Sequence, residues 1–445
     1  MKKIIKHFAW MLFLCFCVST AIAGKTSQEL TISNWQNQLS NQIERQAQAQ
    51  TGRPWQLAII SVAHSTQGEL EKAVLEAMKR NRLLAQVVLV RVSPSPKVTQ
   101  FKNNFQTKQI NRTDLSNKFR SFSLASMQQI LRYLDHSNST FYTGLVIDAH
   151  GTGKEMHTMF EGRDTLSAKD FFEKIEKEGI KIDVLELNSC SMGSLDTLYY
   201  ATKSGMVDYL LASPPPLIHS PAVVGLLYAA SNVPGSLATP PQAAKTAIIA
   251  GKKASIQRVE SELGENIPPF TTSMLAYYLP ELRIHLENWR QSIIGLFKAS
   301  VESHSKGLPF IFREELWLSD IAQPPQKKSS GGIIQVSFFN YFERKISLDN
   351  FIANLLKYGE KHSNEGSSSE ESDEQAFSLF QEESLSLQHN LKVAIKQGLC
   401  YHNQEIYSAA DIDTWPKECL GSVSLDLSQV RDIVLEGREN FPSGN

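Results

Sequence analysis

Three things are scarce or missing in this chain, and each absence narrows what it does. Neither charge is in excess: 45 Lys and Arg face 46 Asp and Glu, a formal net charge of −1. That balance gives no electrostatic reason to expect nucleic acid or an anionic membrane surface as a partner, so partners have to be chosen by local sites. Beyond the N-terminus no apolar run approaches the roughly 20 residues of a membrane-spanning helix, so integral membrane association is not expected. No internal repeat is present, which removes solenoids and propellers. What remains is a globular balance, 42% hydrophobic and 20% charged, able to bury one large core or two to three ordinary ones.

The N-terminus reads as a processing segment. MKKIIKH is basic, FAWMLFLCFCVST is apolar, and Ala21-Ile22-Ala23 is a small-residue cleavage motif before Gly24. An exported mature protein is therefore expected, periplasmic or secreted, with cleavage near Ala23. Cysteine is also sparse. Cys15 and Cys17 would leave with the leader, and Cys190, Cys400 and Cys419 would remain. An odd count in an exported chain fits one disulfide and one free thiol, and Cys400 and Cys419 are the plausible pair by proximity. Three buried, reduced cysteines are the alternative, and the count alone slightly favours it.

After a polar, Gln-rich stretch the pattern becomes regular. WQLAIIS, VVLVRV, GLVIDA, VLELN and MVDYLLA are short apolar runs of strand type. Segments of helical period stand between them: Leu70, Val74, Leu75 and Met78 share one face, and Ser167 caps a helix carrying Ala168, Phe171, Phe172 and Ile175 that Gly179 ends. A helix is also expected around SLASMQQILRYLDH. Strands alternating with helices predict an α/β fold, a mostly parallel sheet covered on both faces. Past Pro214 the character changes to an irregular SPPPLIHSP, then a largely helical 222–297, then an acidic low-complexity SNEGSSSEESDEQ expected to be a disordered linker.

Reactive groups in a parallel sheet collect beyond the C-terminal ends of the strands. Two such ends carry complementary chemistry: His150 follows GLVIDA, and Cys190 follows VLELNS. If the two strands are neighbours, an imidazole stands beside a thiol, and the thiolate is a nucleophile. The backbone N–H groups of Gly151 and Cys190 are the candidate donors to a tetrahedral oxyanion. Other readings fit less well. GTGK lacks the flanking residues of a phosphate loop. His150 and His157 have no third ligand at a closed-site spacing, so no metal is assigned. His64 also ends an apolar run, but Ser65 follows it, and it is taken as structural.

The succession WQLAIISVAHSTQGELEKA, VVLVRV, LASMQQILRYL, FYTGLVIDAHGTG, VLELNSCSMGSLDTLYY and MVDYLLAS resembles the clostripain-like cysteine peptidases of the caspase, legumain and gingipain clan. The resemblance covers roughly residues 55–213. It implies a caspase-like three-layer sandwich with helical and mixed C-terminal additions, and peptide hydrolysis by a Cys190–His150 dyad through a thioester. With the leader and the changes of composition, the chain is expected to divide into a signal peptide (1–23), a polar arm (24–54), the peptidase domain (55–232), a helical or mixed extension (233–358), the acidic linker (359–376) and a C-terminal segment (377–445). Calcium enters only by the family likeness, no loop here has the spacing of a recognised calcium site, and no cofactor is required.

Two departures bear on specificity. The family has an acidic residue two before the cysteine, where this chain has Asn188, and acidic residues after the next strand, where it has Ser213-Pro214-Pro215-Pro216. An amide does not replace the charge that holds a guanidinium, so a neutral or small P1 residue is credible. Asn188, Ser213 and Asp208 are the candidate pocket residues, with Asp183 a further source of charge. Lys154 and Arg163 offer basic sites for maturation between His150 and Cys190. A binding protein that keeps the fold without turnover, and a transpeptidase or ligase on the same dyad, are the alternatives to an endopeptidase acting on proteins or peptides.

Overall fold

The computed structural model describes residues 52–303 and 371–426, with short interruptions, and the strand at 345–347. The expected leader, His64 and Arg163 lie outside the described residues, as does most of the polar arm.

Five parallel strands form the centre of a ten-stranded sheet: β1 (Trp55–Ser61), β2 (Leu84–Arg91), β5 (Tyr142–Asp148), β9 (Ile182–Asn188) and β10 (Val207–Ala212). Their spatial order is β2-β1-β5-β9-β10. They correspond to the five apolar runs of the sequence. Such runs are continuous because both faces are covered. In β5, Leu145 and Ile147 enter the core on one face and Val146 the core on the other. One edge is extended by an antiparallel meander of β3 (Lys97–Asn104) and β4 (Gln109–Asp114). A three-stranded flap of β6 (His150–Gly151), β7 (Glu155–His157) and β8 (Thr165–Ser167) grows directly from the end of β5.

The helices lie in two layers. One face carries α3 (Ala168–Glu178) and α4 (Leu195–Ser204), together with the long α8 (Leu279–Ser303) and α9 (Glu371–Ala394). The other carries α1 (Gln67–Arg80), α5 (Gly225–Asn232), α6 (Pro240–Thr246), a π-helical turn (Ala247–Lys252) and α7 (Lys253–Leu263). The helix signals of the sequence hold in α3. Ser167 accepts the Asp170 N–H at 3.0 Å, Gly179 closes the helix at φ +67°, and Ala168, Phe171, Phe172 and Ile175 are all buried. The expected helix around 123–135 is instead two short turns, with α2 (Gln128–Leu131) a single turn of α-helix.

The region past Pro214 is not simply helical. β11 (Thr271–Tyr278) lies inside it and pairs antiparallel with β10, and β13 (Ile395–His402) and β14 (Glu405–Ser408) continue the sheet. A small second sheet joins β12 (Lys345–Ser347) to β15 (Ser424–Asp426). One sheet therefore crosses the boundaries expected at 232 and 376. α9 begins at Glu371, within the last residues of the expected acidic linker, whose positions 359–370 lie outside the described residues. Cys400 and Cys419 form a disulfide and leave Cys190 free, which overturns the reading of three reduced thiols. The bond ties β13 to the turn that carries Trp415, both against the same core.

Candidate active site

β5 and β9 are neighbours, with Asp148 opposite Asn188, and the ladder runs one step further through the Ala149 N–H to the Asn188 carbonyl at 3.3 Å. Two residues on from that last pair stand His150 and Cys190. Gly151 makes the approach possible: a Cβ there would lie 2.4 Å from the Cys190 carbonyl oxygen and 2.9 Å from its amide nitrogen. No side chain fits between the two strand ends. A further tie comes from Ser194, the N-cap of α4, whose hydroxyl donates to the Gly153 carbonyl and accepts the Thr197 N–H. The loop after the histidine and the loop after the cysteine are thus clamped by one buried hydroxyl.

Cys190 is half-buried and packs against the core on the α5 face, while His150 is exposed at the rim. The thiol points its hydrogen at the Leu217 carbonyl, 3.6 Å away. His150 faces His157 across the flap, ring centroids 5.8 Å apart. The backbone just past the cysteine is strained: Ser191 has φ +57°, the one left-handed non-glycine residue described. A residue of this kind costs of the order of 1–3 kcal/mol and persists where its surroundings over-determine it. Here the Ser191 N–H donates to the Pro215 carbonyl at 3.1 Å and the Gly193 N–H to the Ser213 carbonyl at 2.9 Å. Ser213 and Pro215 therefore brace the cysteine loop.

Alternate residues of β9 point to one face, so Glu186 and Asn188 share it, and Cys190, in the turn two residues on, packs against the core of that same face. Glu186 and Asn188 line a cavity under α5 and the π turn, with Leu211, Lys252 and Met274. Glu186 is fully buried. Its two oxygens accept the Gly225 N–H at 2.7 Å and the Leu226 N–H at 2.8 Å, at the start of α5. Burial pushes its carboxyl above the ordinary range, while these N–H groups and Asn188 pull it back. The Asn188 amide nitrogen finds no acceptor of hydrogen-bond geometry among the described residues, though it stands beside that carboxylate.

The other pocket candidates are placed elsewhere. Ser213 is buried, and its hydroxyl donates to the Pro215 carbonyl at 2.9 Å, so it braces the loop and is not part of the lining of the cavity under α5. Asp208 sits at the start of β10, opposite the strand ends that carry the cysteine, and is paired with Lys181 at 2.6 Å. Asp183 is likewise at the start of β9, where it accepts the Thr143 N–H at 2.7 Å; burial raises its carboxyl. Neither restores a negative charge beside Cys190. Lys154 lies in the turn between β6 and β7, where its carbonyl accepts the Ala168 N–H at 2.9 Å.

Sequence reasoning missed Ser194, Glu186 and Lys252. Ser194 carried a signal, a serine three residues before Thr197 at the head of a helical pattern. Glu186 and Lys252 carried none, because charged residues normally read as solvated. Among the described residues no three His, Cys, Asp or Glu side chains come together as a metal site, and no helix is long and apolar enough to cross a membrane.

No family model matches this sequence, and no curated protein matches it. Solved structures do. The chain is similar to an inactive zymogen C11 protease from Parabacteroides distasonis, at 14% identity and a TM-score of 0.48, over 88% of this chain and 97% of that one. It is similar as well to a secreted C11 cysteine protease from Bacteroides thetaiotaomicron in complex with an irreversible peptide inhibitor, at 12% identity and a TM-score of 0.37, over 56% of this chain and 72% of that one. A further structure of a secreted C11 cysteine protease from that organism, iotapain, matches at 14% identity and a TM-score of 0.36, over 57% and 74% of the two chains.

Proposed function

We propose that this chain is an exported cysteine endopeptidase in which Cys190 is the nucleophile and His150 the general base and acid. The observation that carries the reading is the contact of Gly151 with the Cys190 backbone, which joins the end of a histidine-bearing strand to the end of a cysteine-bearing one. Two strand ends held this closely, with the imidazole at the solvent rim and the thiol half-buried, support a nucleophile–base pair, whose side chains act within hydrogen-bond reach of each other.

The chemistry then follows in two halves. His150 takes the Cys190 proton, and the thiolate adds to the carbonyl carbon of the scissile peptide. The resulting oxyanion faces the backbone N–H groups of Gly151 and Cys190. Collapse breaks the C–N bond, the imidazolium returns its proton to the departing amine, and a thioester remains. Water, deprotonated by His150, attacks the thioester, releasing the acid and restoring the thiol. No metal or cofactor enters this scheme. The resting thiol is engaged by the Leu217 carbonyl, so substrate has to displace that contact before attack.

With Asn188 two residues before Cys190 and the Glu186 carboxylate occupied by two N–H groups, no carboxylate is offered to a guanidinium, and a neutral P1 side chain is the expected preference. The test is labelling of the mature protein by acyloxymethyl-ketone peptides that vary only at P1, with Cys190→Ala as control. Labelling confined to Cys190, strongest for neutral P1, is expected. No labelling by any member, before or after limited trypsin treatment, would replace this reading with that of a binding protein. Sequencing the N-terminus of the secreted product checks export, with Gly24 expected first.

A further inference from the structure

A lysine is buried beside this site. In the run AIIAGKKAS, Lys252 follows Gly251, and both belong to the π-helical turn Ala247–Lys252 between α6 and α7. A π turn carries one residue more per turn than the flanking α-helix, which rotates the side chains after it, and such turns are frequent at functional sites. Two glycines then let the turn descend onto the sheet. A Cβ on Gly251 would lie 2.5 Å from the Gly225 Cα, and one on Gly225 would lie 2.8 Å from a Glu186 carboxylate oxygen and 2.9 Å from the Ala247 carbonyl. The π turn and the first residue of α5 are therefore in backbone contact, and both lie against or beside the Glu186 side chain of β9. Lys252 is 5% exposed and lines the same cavity as Glu186 and Asn188. Cys190 lies in the turn two residues past the end of β9 and packs against the same core cluster as the cavity-lining Leu211, Ala247, Ile248 and Met274.

We propose, on the reading of Cys190 as nucleophile, that Lys252 is a positioning residue whose buried ammonium stabilises the Cys190 thiolate. A lone ammonium in this cavity is costly, because burial penalises the charged form. Burial brings the Lys252 amine down to about 7, opposed first by Cys190 and then by Glu186, each of which favours the charged form. Charge on the lysine and charge on the sulfur thus support each other. Near neutral pH a proton that leaves the thiol leaves behind an anion whose field keeps the Lys252 ammonium protonated.

The other ionisable groups around the turn do not compete for this part. Asp148 stands behind Glu186 at the end of β5 and accepts the Ser61 hydroxyl at 2.8 Å. On β13, Tyr401 is engaged by Glu260 of α7. Arg258 of α7 is paired with Glu69 and Glu262, and Lys253 is the first residue of that helix. The ionisable residues of α5 and α6 are Tyr228 and Lys245, and β11 offers the cavity wall only Met274. If Lys252 merely neutralises Glu186, the thiol is indifferent to it.

The test is the rate of Cys190 alkylation by iodoacetamide against pH, in the folded full chain, followed by mass spectrometry of the Cys190 peptide. Lys252→Met is expected to move the midpoint up by about one pH unit, roughly a tenfold loss of rate on the acid side. Lys252→Arg keeps a permanent charge and is expected to hold the midpoint at or below that of the wild type, so it also serves if the methionine variant fails to fold. Coincident midpoints for wild type and Lys252→Met would overturn the proposal, as would an arginine variant that behaves like methionine. Alkylation needs no turnover, so a protein that ignores every peptide inhibitor yet shows the Lys252 shift would lose the peptidase reading and keep this one.

Discussion

Gly151 touches Cys190 backbone to backbone: a Cβ on the glycine would stand 2.4 Å from the carbonyl oxygen and 2.9 Å from the amide nitrogen of the cysteine. Both near atoms are main chain, so they cannot swing aside as a side-chain tip would. Gly151→Ala must therefore part the two strand ends. A displacement of about 1 Å at a reacting centre costs on the order of a hundredfold. The expected result is a loss of that size in inhibitor labelling of Cys190, while the far-UV spectrum stays native. A variant labelled within twofold of wild type would show that the contact does not set the geometry.

Ser194 makes a similar point through a hydroxyl. It caps α4 and at the same time donates to the Gly153 carbonyl of the flap. Loss of a cap costs about 1 kcal/mol, and loss of the clamp leaves a buried carbonyl unsatisfied at a further 1–3 kcal/mol. Ser194→Ala is expected to lower stability by roughly 2–4 kcal/mol in urea unfolding, and Ser194→Thr to recover part of it. A cost under about 0.5 kcal/mol, the range of ordinary surface substitutions, would mean that the two loops are held by other contacts.

How much of this was legible beforehand follows from what each residue depends on. His150 and Cys190 could be read because each ends an apolar run, and the run itself records burial on both faces of a strand. The α3 boundaries could be read because Ser167 and Gly179 act locally. β11 could not: TTSMLAYY runs straight into α8 at Leu279, and its strand character comes from β10 and β13 on either side. β13 follows α9 without an intervening residue, Ala394 to Ile395, so no turn chemistry announces it. Glu186 and Lys252 are charged residues inside the protein because Gly225 and Gly251 meet, and a meeting of two distant glycines leaves no trace in either local pattern.

Asp208 tests the specificity argument from the opposite side. Its carboxylate is bound to Lys181 at the far end of the sheet from Cys190, both partners partly exposed, so the pair contributes at most about 1 kcal/mol. Asp208→Asn is expected to leave the P1 preference and the rate of inhibitor labelling unchanged. A shift of preference toward or away from basic P1 residues in this variant would return Asp208 to the pocket.

The Cys400–Cys419 bond closes a short loop, with a sequence separation of 19. Constraint of the unfolded chain by a loop of that size stabilises the native state by about 3 kcal/mol in the chain-entropy model. Cys400→Ala with Cys419→Ala is expected to lower the urea midpoint accordingly, with Cys190 reactivity preserved because β11 and β10 stand between β13 and β9. Peptide mapping without reductant should find this bond, and a Cys190 mixed disulfide in its place would contradict the assignment of the free thiol.

Lys252 also gives stability a pH dependence whose sign can be worked out. In the unfolded chain its amine titrates near 10.5, and in the folded chain at about 7. Between these values the unfolded state holds the extra proton, so acid favours unfolding. The penalty is absent above the unfolded value, grows as pH falls through the window, and levels off below about 7. The slope approaches about 1.4 kcal/mol per pH unit at its steepest. Lys252→Met removes the titrating group, so the stability of wild type relative to this variant should rise steadily between pH 7.5 and 9.5 in urea unfolding. Parallel curves across that interval would mean that the buried amine keeps its proton in the folded protein, held there by Glu186 and the Cys190 thiolate together.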